Sequence, residues 1–325
     1  MTGITTTSEK RLVLVAGRAH PDLAAEVASQ LGVTIVPTTA YDFASGEIYV
    51  RFGESVRGAD AFVLQSHCAP INKWLMEQLL MCDALKRASA KRITAIAPFF
   101  PYSRQDKKHK GREPISARLV ADLYRTAGAN RLMSVDLHAA QIQGYFDGPV
   151  DHLWAMPVLA DYVERRVANE NLAVVSPDAG RVRVADVWSD RLAAPLAIIH
   201  KRRDPNVPNE VKVHEVVGEV AGRTCLLVDD MIDTAGTIVQ AAQALKENGA
   251  GDVIVATTHA VLSGPAVDRL KNGPIAEVIV TNTLPIPPER QFPSLTVLSI
   301  APLIARAIRE IFDDGSITSL FEHHP

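Results

Sequence analysis

Leu226-Leu227-Val228-Asp229-Asp230-Met231-Ile232-Asp233-Thr234-Ala235-Gly236-Thr237, continued by Ile238-Val239-Gln240-Ala241-Ala242-Gln243-Ala244-Leu245, is the stretch on which the fold turns. The apolar run before Asp229 predicts a buried parallel strand over Thr224–Val228. The run after Thr237 has helical spacing and stops at Asn248-Gly249, a helix C-cap signal. Between them lies a short loop of small and hydroxyl residues at a helix N-terminus. Exposed N–H groups and the helix dipole suit a phosphate there. Gly236 lets the backbone approach an anion, while Thr234 and Thr237 add hydroxyl donors. Asp229 and Asp230 would repel that anion, so they are expected to face vicinal sugar hydroxyls or a metal ion. A strand, a polar turn and an ordinary N-cap would use similar residue types singly. The whole order points to a sugar-phosphate site rather than to any of these alone.

The chain has 325 residues, more than one core of usual size, which predicts two domains. Its 47% hydrophobic and 22% charged residues describe a globular chain. A formal net charge of -3 gives no global field for nucleic acid or an anionic membrane. An anionic substrate must then be held by local basic clusters. No apolar run is long enough for a membrane span, and Met1–Arg11 lacks a signal-peptide core. Cys68, Cys82 and Cys225 are scattered without metal spacing and read as reduced thiols of a cytoplasmic protein.

Strand-like and helix-like stretches alternate along the whole chain. Strands are expected at Leu12–Ala16, Ala61–Gln65, Arg92–Ala97, Leu132–Leu137, Ala173–Ser176, Leu196–Ile199, Val253–Thr258 and Val278–Thr281, with helices such as Pro21–Leu31, Asn72–Ala88 and Ile115–Ala127 between them. That alternation predicts an α/β fold of parallel sheets flanked by helices. Gly128-Ala129 before a strand ending at His138-Ala139 is echoed by Gly249-Ala250 before one ending at His259-Ala260, at a constant offset of 121 residues. Two similar domains are therefore expected, 11–155 and 156–325, with the tail 303–321 returning to the first.

Four further stations follow strand ends, where ligands sit in such sheets. Pro98–Pro114 is dense in cations and aromatics, and Arg104 and Gln105 suit a nucleotide. Val135-Asp136-Leu137-His138 puts an imidazole at a strand tip. Ser176-Pro177-Asp178-Ala179-Gly180 offers a carboxylate for Mg²⁺ and a glycine turn for a pyrophosphate. His200-Lys201-Arg202-Arg203 is a second basic cluster. Each also has a plain reading as a turn or a solvated loop.

Together with Phe43-Ala44-Ser45-Gly46-Glu47, these stations closely resemble class I ribose-phosphate pyrophosphokinases of the bacterial type, from about Leu12 to Phe321. The resemblance implies two phosphoribosyltransferase-like domains. It implies transfer of the β,γ-pyrophosphoryl group of ATP to ribose 5-phosphate, giving phosphoribosyl diphosphate and AMP for nucleotide, histidine and tryptophan biosynthesis. It also implies roles for individual residues. Arg104 and Gln105 would hold ATP, with Phe43, Ser45, Gly46 and Glu47 on the adenine side across a subunit interface. Ser45 stands where the family pattern carries Asn or Asp. His138 and Asp178 would be Mg²⁺ ligands. Lys201 and Arg203 would be catalytic cations. Arg203, Asp229, Asp230, Asp233, Thr234, Ala235, Gly236 and Thr237 would hold ribose 5-phosphate. A homohexamer inhibited by ADP and activated by phosphate is implied as well, with feedback through the Gly315–Phe321 tail and the Lys107–Arg112 region. A simple phosphoribosyltransferase would share Asp229–Thr237 without needing the other stations. A catalytically silent regulatory subunit would have lost some of them.

Overall fold

The computed structural model describes residues 10–167, 171–201 and 214–317, with the side chains of Lys201 and His214 outside that description. The chain divides into two compact units, one built from the residues up to Leu153 together with those from Ala301, the other from Trp154–Ile300.

The first unit runs β1 (Leu12–Ala16), α1 (Pro21–Leu31), β2 (Thr38–Asp42), β3 (Ile48–Phe52), β4 (Asp60–Leu64), α2 (Ile71–Arg87), β5 (Arg92–Ile96), α3 (Ser116–Ala127), β6 (Arg131–Val135) and β7 (Val150–Leu153). Its sheet has the order β1-β4-β5-β6-β7 and is parallel throughout. Every residue of β4 is buried, as expected of a parallel strand covered on both faces. Helix α1 is stopped by Gly32 in the left-handed region, where glycine carries no Cβ penalty. Strands β2 and β3 form a separate antiparallel ribbon with Tyr41 opposite Tyr49.

The second unit contains α4 (Met156–Arg166), β8 (Leu172–Ser176), α5 (Val182–Leu192), β9 (Leu196–Lys201), β10 (His214–Val217), β11 (Thr224–Ile232), α6 (Gly236–Glu247), β12 (Val253–Ala260), α7 (Ala266–Asn272), β13 (Glu277–Thr281) and β14 (Leu295–Leu298). Its sheet order is β10-β9-β8-β11-β12-β13-β14. All pairs are parallel except β10, which lies antiparallel on the β9 edge. The fold is thus the expected α/β arrangement, with one antiparallel edge strand added. Helix α8 (Ala301–Phe312) belongs with the first unit, where its apolar face packs on α1. Asp314, just beyond it, is paired with Lys10 and Arg92.

The internal echo has a concrete counterpart. Ala129 N–H bonds Tyr124 O and Ala250 N–H bonds Leu245 O, each at 3.0 Å. Gly128 and Gly249 both adopt positive φ at these two helix stops. The same helix-ending device therefore feeds β6 in one unit and β12 in the other.

Beneath β4 and β5 a buried polar chain ties helices to the sheet. Gln78 Nε2 donates to Val63 O at 2.8 Å and Ile96 O at 2.9 Å. The Tyr124 hydroxyl lies between Gln78 Oε1 (2.6 Å) and His67 Nε2 (3.2 Å), and His67 Nδ1 contacts Phe99 O at 3.1 Å. Burial holds the His67 imidazole down to about 4, against 6.5 ordinarily. The unfolded chain therefore takes up the proton first. The stability contributed is complete above pH 6.5 and is lost as the pH falls toward 4, a total of roughly 3 kcal/mol. Urea unfolding of the parent and of His67→Asn between those limits is expected to show a flatter pH dependence in the variant. Identical slopes would mean that His67 does not carry this dependence.

Candidate active site

β11 does not end at Val228. Its last pairing with β8 is Leu227↔Val175, but the pairing with β12 continues through Asp229↔Thr257 to Ile232↔Ala260. Asp229 and Asp230 thus lie within the strand, beside an edge that β8 has left. The turn following β8 fills that place. Ser176 Oγ donates to Asp178 O at 2.7 Å, and Asp178 Oδ1 accepts the Gly180 N–H at 2.8 Å. The resulting 3₁₀ turn Ala179–Arg181 aims Arg181 at both carboxylates. Its Nε lies 3.1 Å from Asp229 Oδ1 and its Nη2 2.6 Å from Asp230 Oδ1. Burial, and then the neighbouring Asp230 charge, push the Asp229 carboxyl well above the ordinary range, with Arg181 opposing them.

Asp233, Thr234 and Ala235 lead from β11 into α6. The left-handed residue of this junction is Ala235 (φ 60°), not a glycine. Such a conformation costs a non-glycine residue roughly 1–3 kcal/mol. Arg269 Nη1 donates to Thr234 O at 3.0 Å and braces the turn. The N-terminus of α6 carries no side-chain cap. A hollow of about 430 Å³ opens there, lined by Thr234, Gly236, Thr237, Val239, Gln240 and Arg269. Uncapped helical N–H groups beside a guanidinium make an anion site. A Cβ added at Gly236 would meet only Arg269 Nη1 at 3.4 Å and Thr234 Oγ1 at 3.9 Å, so this face is open toward the hollow.

The first unit carries the other stations. Phe43, Ser45, Gly46 and Glu47 form the tip of the β2–β3 ribbon. Phe43 N–H bonds Glu47 O and Gly46 N–H bonds Phe43 O, both at 2.8 Å. Ser45 Oγ donates to Glu47 Oε2 at 2.9 Å. Phe43 is 47% exposed yet packs edge-on to Tyr41, which stacks on Tyr49. The ribbon is anchored at Asp42 by Lys73 (2.6 Å) and Arg18 (2.7 Å), and Arg18 Nε also bonds the fully buried Glu77 at 2.6 Å. Hydrogen bonds from Lys73 and then Arg18 hold the Asp42 carboxyl below its usual range.

Arg104 and Gln105 are exposed on the loop following β5. Gln105 Oε1 accepts from Ser116 Oγ at 2.5 Å, and buried Asp106 is held by Gln141 and Tyr145. Glu113 accepts the N–H groups of His109 (2.8 Å) and Lys110 (2.9 Å), which folds the basic segment back on itself. His138 is half-buried beyond β6 in this unit, whereas Asp178 belongs to the second. β9 delivers the backbone to Lys201; the Lys201 side chain and Arg203 lie outside the described residues.

The two halves match known families separately. Residues 12–128 match the N-terminal domain of ribose phosphate pyrophosphokinase, and residues 205–322 the phosphoribosyl synthetase-associated domain. The ribose-phosphate pyrophosphokinase of Streptomyces coelicolor is 68% identical over 322 residues, covering 99% of both chains. The chain belongs to the ribose-phosphate pyrophosphokinase family. The Mycobacterium tuberculosis ribose-phosphate pyrophosphokinase is 62% identical over 98% of each chain. A crystal structure of phosphoribosylpyrophosphate synthetase from Mycobacterium smegmatis aligns with a TM-score of 0.90 at 63% identity, covering 94% of this chain and all of that one.

Arg181 and Arg269 escaped the sequence reading of this family member. Arg181 had one usable signal, its place three residues after Asp178 in a strand-end turn. Arg269 sits in Ala266-Val267-Asp268-Arg269-Leu270, an ordinary amphipathic pattern.

Proposed function

We propose that the chain transfers the β,γ-pyrophosphoryl group of ATP to the 1-hydroxyl of ribose 5-phosphate, yielding 5-phosphoribosyl 1-diphosphate and AMP. The observation carrying this reading is the β11–α6 junction of a chain that belongs to this family. A carboxylate pair is followed, one turn later, by an uncapped helix N-terminus at an open hollow. The pair suits a sugar diol and the helix end suits its 5-phosphate.

In this reading Asp229 and Asp230 accept from the ribose hydroxyls, and Asp233–Thr237 wrap the phosphate. Arg104 and Gln105 hold ATP. The Phe43–Glu47 tip serves the adenine side, with Ser45 Oγ donating to Glu47 there. The sugar hydroxyl attacks the β-phosphorus in line and AMP departs, without a covalent enzyme intermediate. Rate enhancement comes from positioning and from cations placed where charge develops, the part given to Lys201 and Arg203.

Mg²⁺ fits this donor set. Among the described residues no three His, Cys, Asp or Glu side chains gather into a metal cage. A Mg²⁺ ion keeps waters and takes one or two carboxylates plus substrate phosphates. Asp178 would supply a hard oxygen to such an ion. When bound, the ion offsets phosphate charge. A homohexamer, with ADP and phosphate as effectors, belongs to the same reading. Among the described residues no helix is long and apolar enough to cross a membrane.

The test is product analysis. AMP is expected from ATP only when ribose 5-phosphate and Mg²⁺ are both present. Binding of both substrates without AMP would favour a silent regulatory subunit instead.

A further inference from the structure

We infer that Arg181 is a positioning residue that sets selectivity for the ribose diol, by clamping Asp229 and Asp230 into one two-pronged acceptor. This rests on the assignment of those carboxylates to the sugar.

Consecutive strand residues project to opposite faces, so Asp229 and Asp230 have no inherent reason to converge. Their convergence comes from outside the strand. The guanidinium presents Nε to one carboxylate and Nη2 to the other, at 3.1 and 2.6 Å. Side-chain exposure is 15% for Arg181, 16% for Asp229 and 8% for Asp230, so water screens the three groups weakly. Two neighbouring carboxylates in such a place repel each other, and the planar cation offsets that while fixing their orientation. Asp229 is further held because its Oδ1 accepts the Asp230 N–H at 2.8 Å.

The clamp is itself rigidly placed. Arg181 N–H bonds Asp178 O at 3.3 Å, and the Asp178 carboxylate caps the same turn. The turn assigned to metal and pyrophosphate thus also orders the acceptor for the sugar. A lysine at 181 would keep the charge but could not span both carboxylates with a fork.

The experiment compares the parent enzyme with Arg181→Gln and Arg181→Lys. Ribose 5-phosphate and 2-deoxyribose 5-phosphate serve as alternative substrates, and calorimetry measures ribose 5-phosphate binding. Arg181→Gln is expected to weaken ribose 5-phosphate binding roughly 10- to 100-fold, the loss of ordered charge-assisted contacts. It should also shrink the preference for ribose over 2-deoxyribose, in kcat/KM, about tenfold or more, because the hydroxyl acceptors lose their arrangement. Arg181→Lys should restore part of the affinity and little of the preference, while the KM for ATP stays within about threefold of the parent value, below one lost contact. An unchanged sugar preference in Arg181→Gln, or equal loss toward ATP and sugar, overturns the role of Arg181. Asp229→Asn keeps the two questions apart. If it binds ribose 5-phosphate normally, the assignment of the carboxylates fails. If it loses binding while Arg181→Gln does not, only the clamp fails.

Discussion

Lys201→Ala and Arg203→Ala are each expected to lower kcat by roughly 10²–10³-fold, the usual cost of removing one preorganised donor from a charged transition state. β9 keeps the backbone extended as far as Lys201. Arg202 and Arg203 lie outside the described residues. Residues two apart in an extended chain point the same way, so an extended course there would let Lys201 and Arg203 meet one transferring pyrophosphoryl group and turn Arg202 elsewhere. Charge on the β-phosphoryl oxygens grows only as the transition state forms. The loss should therefore appear in kcat, with ATP binding little changed. Arg202→Ala should stay within about tenfold, less than one engaged transition-state contact. Steady-state kinetics on the three variants decide the matter. If Arg202→Ala proves the most damaging, the alternation argument for this loop is wrong.

Gly236→Val is expected to reduce ribose 5-phosphate affinity on the order of 100-fold, equivalent to losing about two charge-assisted hydrogen bonds. The protein itself accommodates the side chain. An added Cβ stays 3.4 Å or more from its nearest neighbours, and Gly236 is not among the positive-φ residues. The obstruction falls on the hollow shared with Thr237 and Arg269, where the phosphate would meet the first N–H groups of α6. Calorimetry with ribose 5-phosphate, accompanied by a thermal melt, should show weak binding with the fold retained. Unchanged affinity would remove the α6 N-terminus from the substrate site.

Much of this architecture is legible in local sequence because parallel strands are continuous apolar runs and helices have sharp stops. β1 and α1 begin and end where hydrophobic pattern, Pro21 and Gly32 place them. What local pattern missed was decided by partners distant in sequence. Aspartate disfavours strands, so β11 seemed to end at Val228, yet continued pairing with β12 carries it to Ile232. The β2–β3 ribbon escaped because none of its residues is buried, and it is anchored through Asp42 to Arg18 and Lys73. The site shows the same division. Its carboxylates, hydroxyls and glycine are adjacent in sequence and could be read together. Arg181 and Arg269 reach it from other elements, and no local spacing relates them to Asp229 or Thr234.

The proposed reaction is defined by which phosphorus atoms move. Phosphorus NMR of the enzyme with ATP, Mg²⁺ and ribose 5-phosphate should show a diphosphate arising at the sugar C1 as AMP accumulates in equal amount, with both the β- and γ-phosphorus of ATP recovered in that diphosphate. Appearance of ADP with a singly phosphorylated C1 would contradict it.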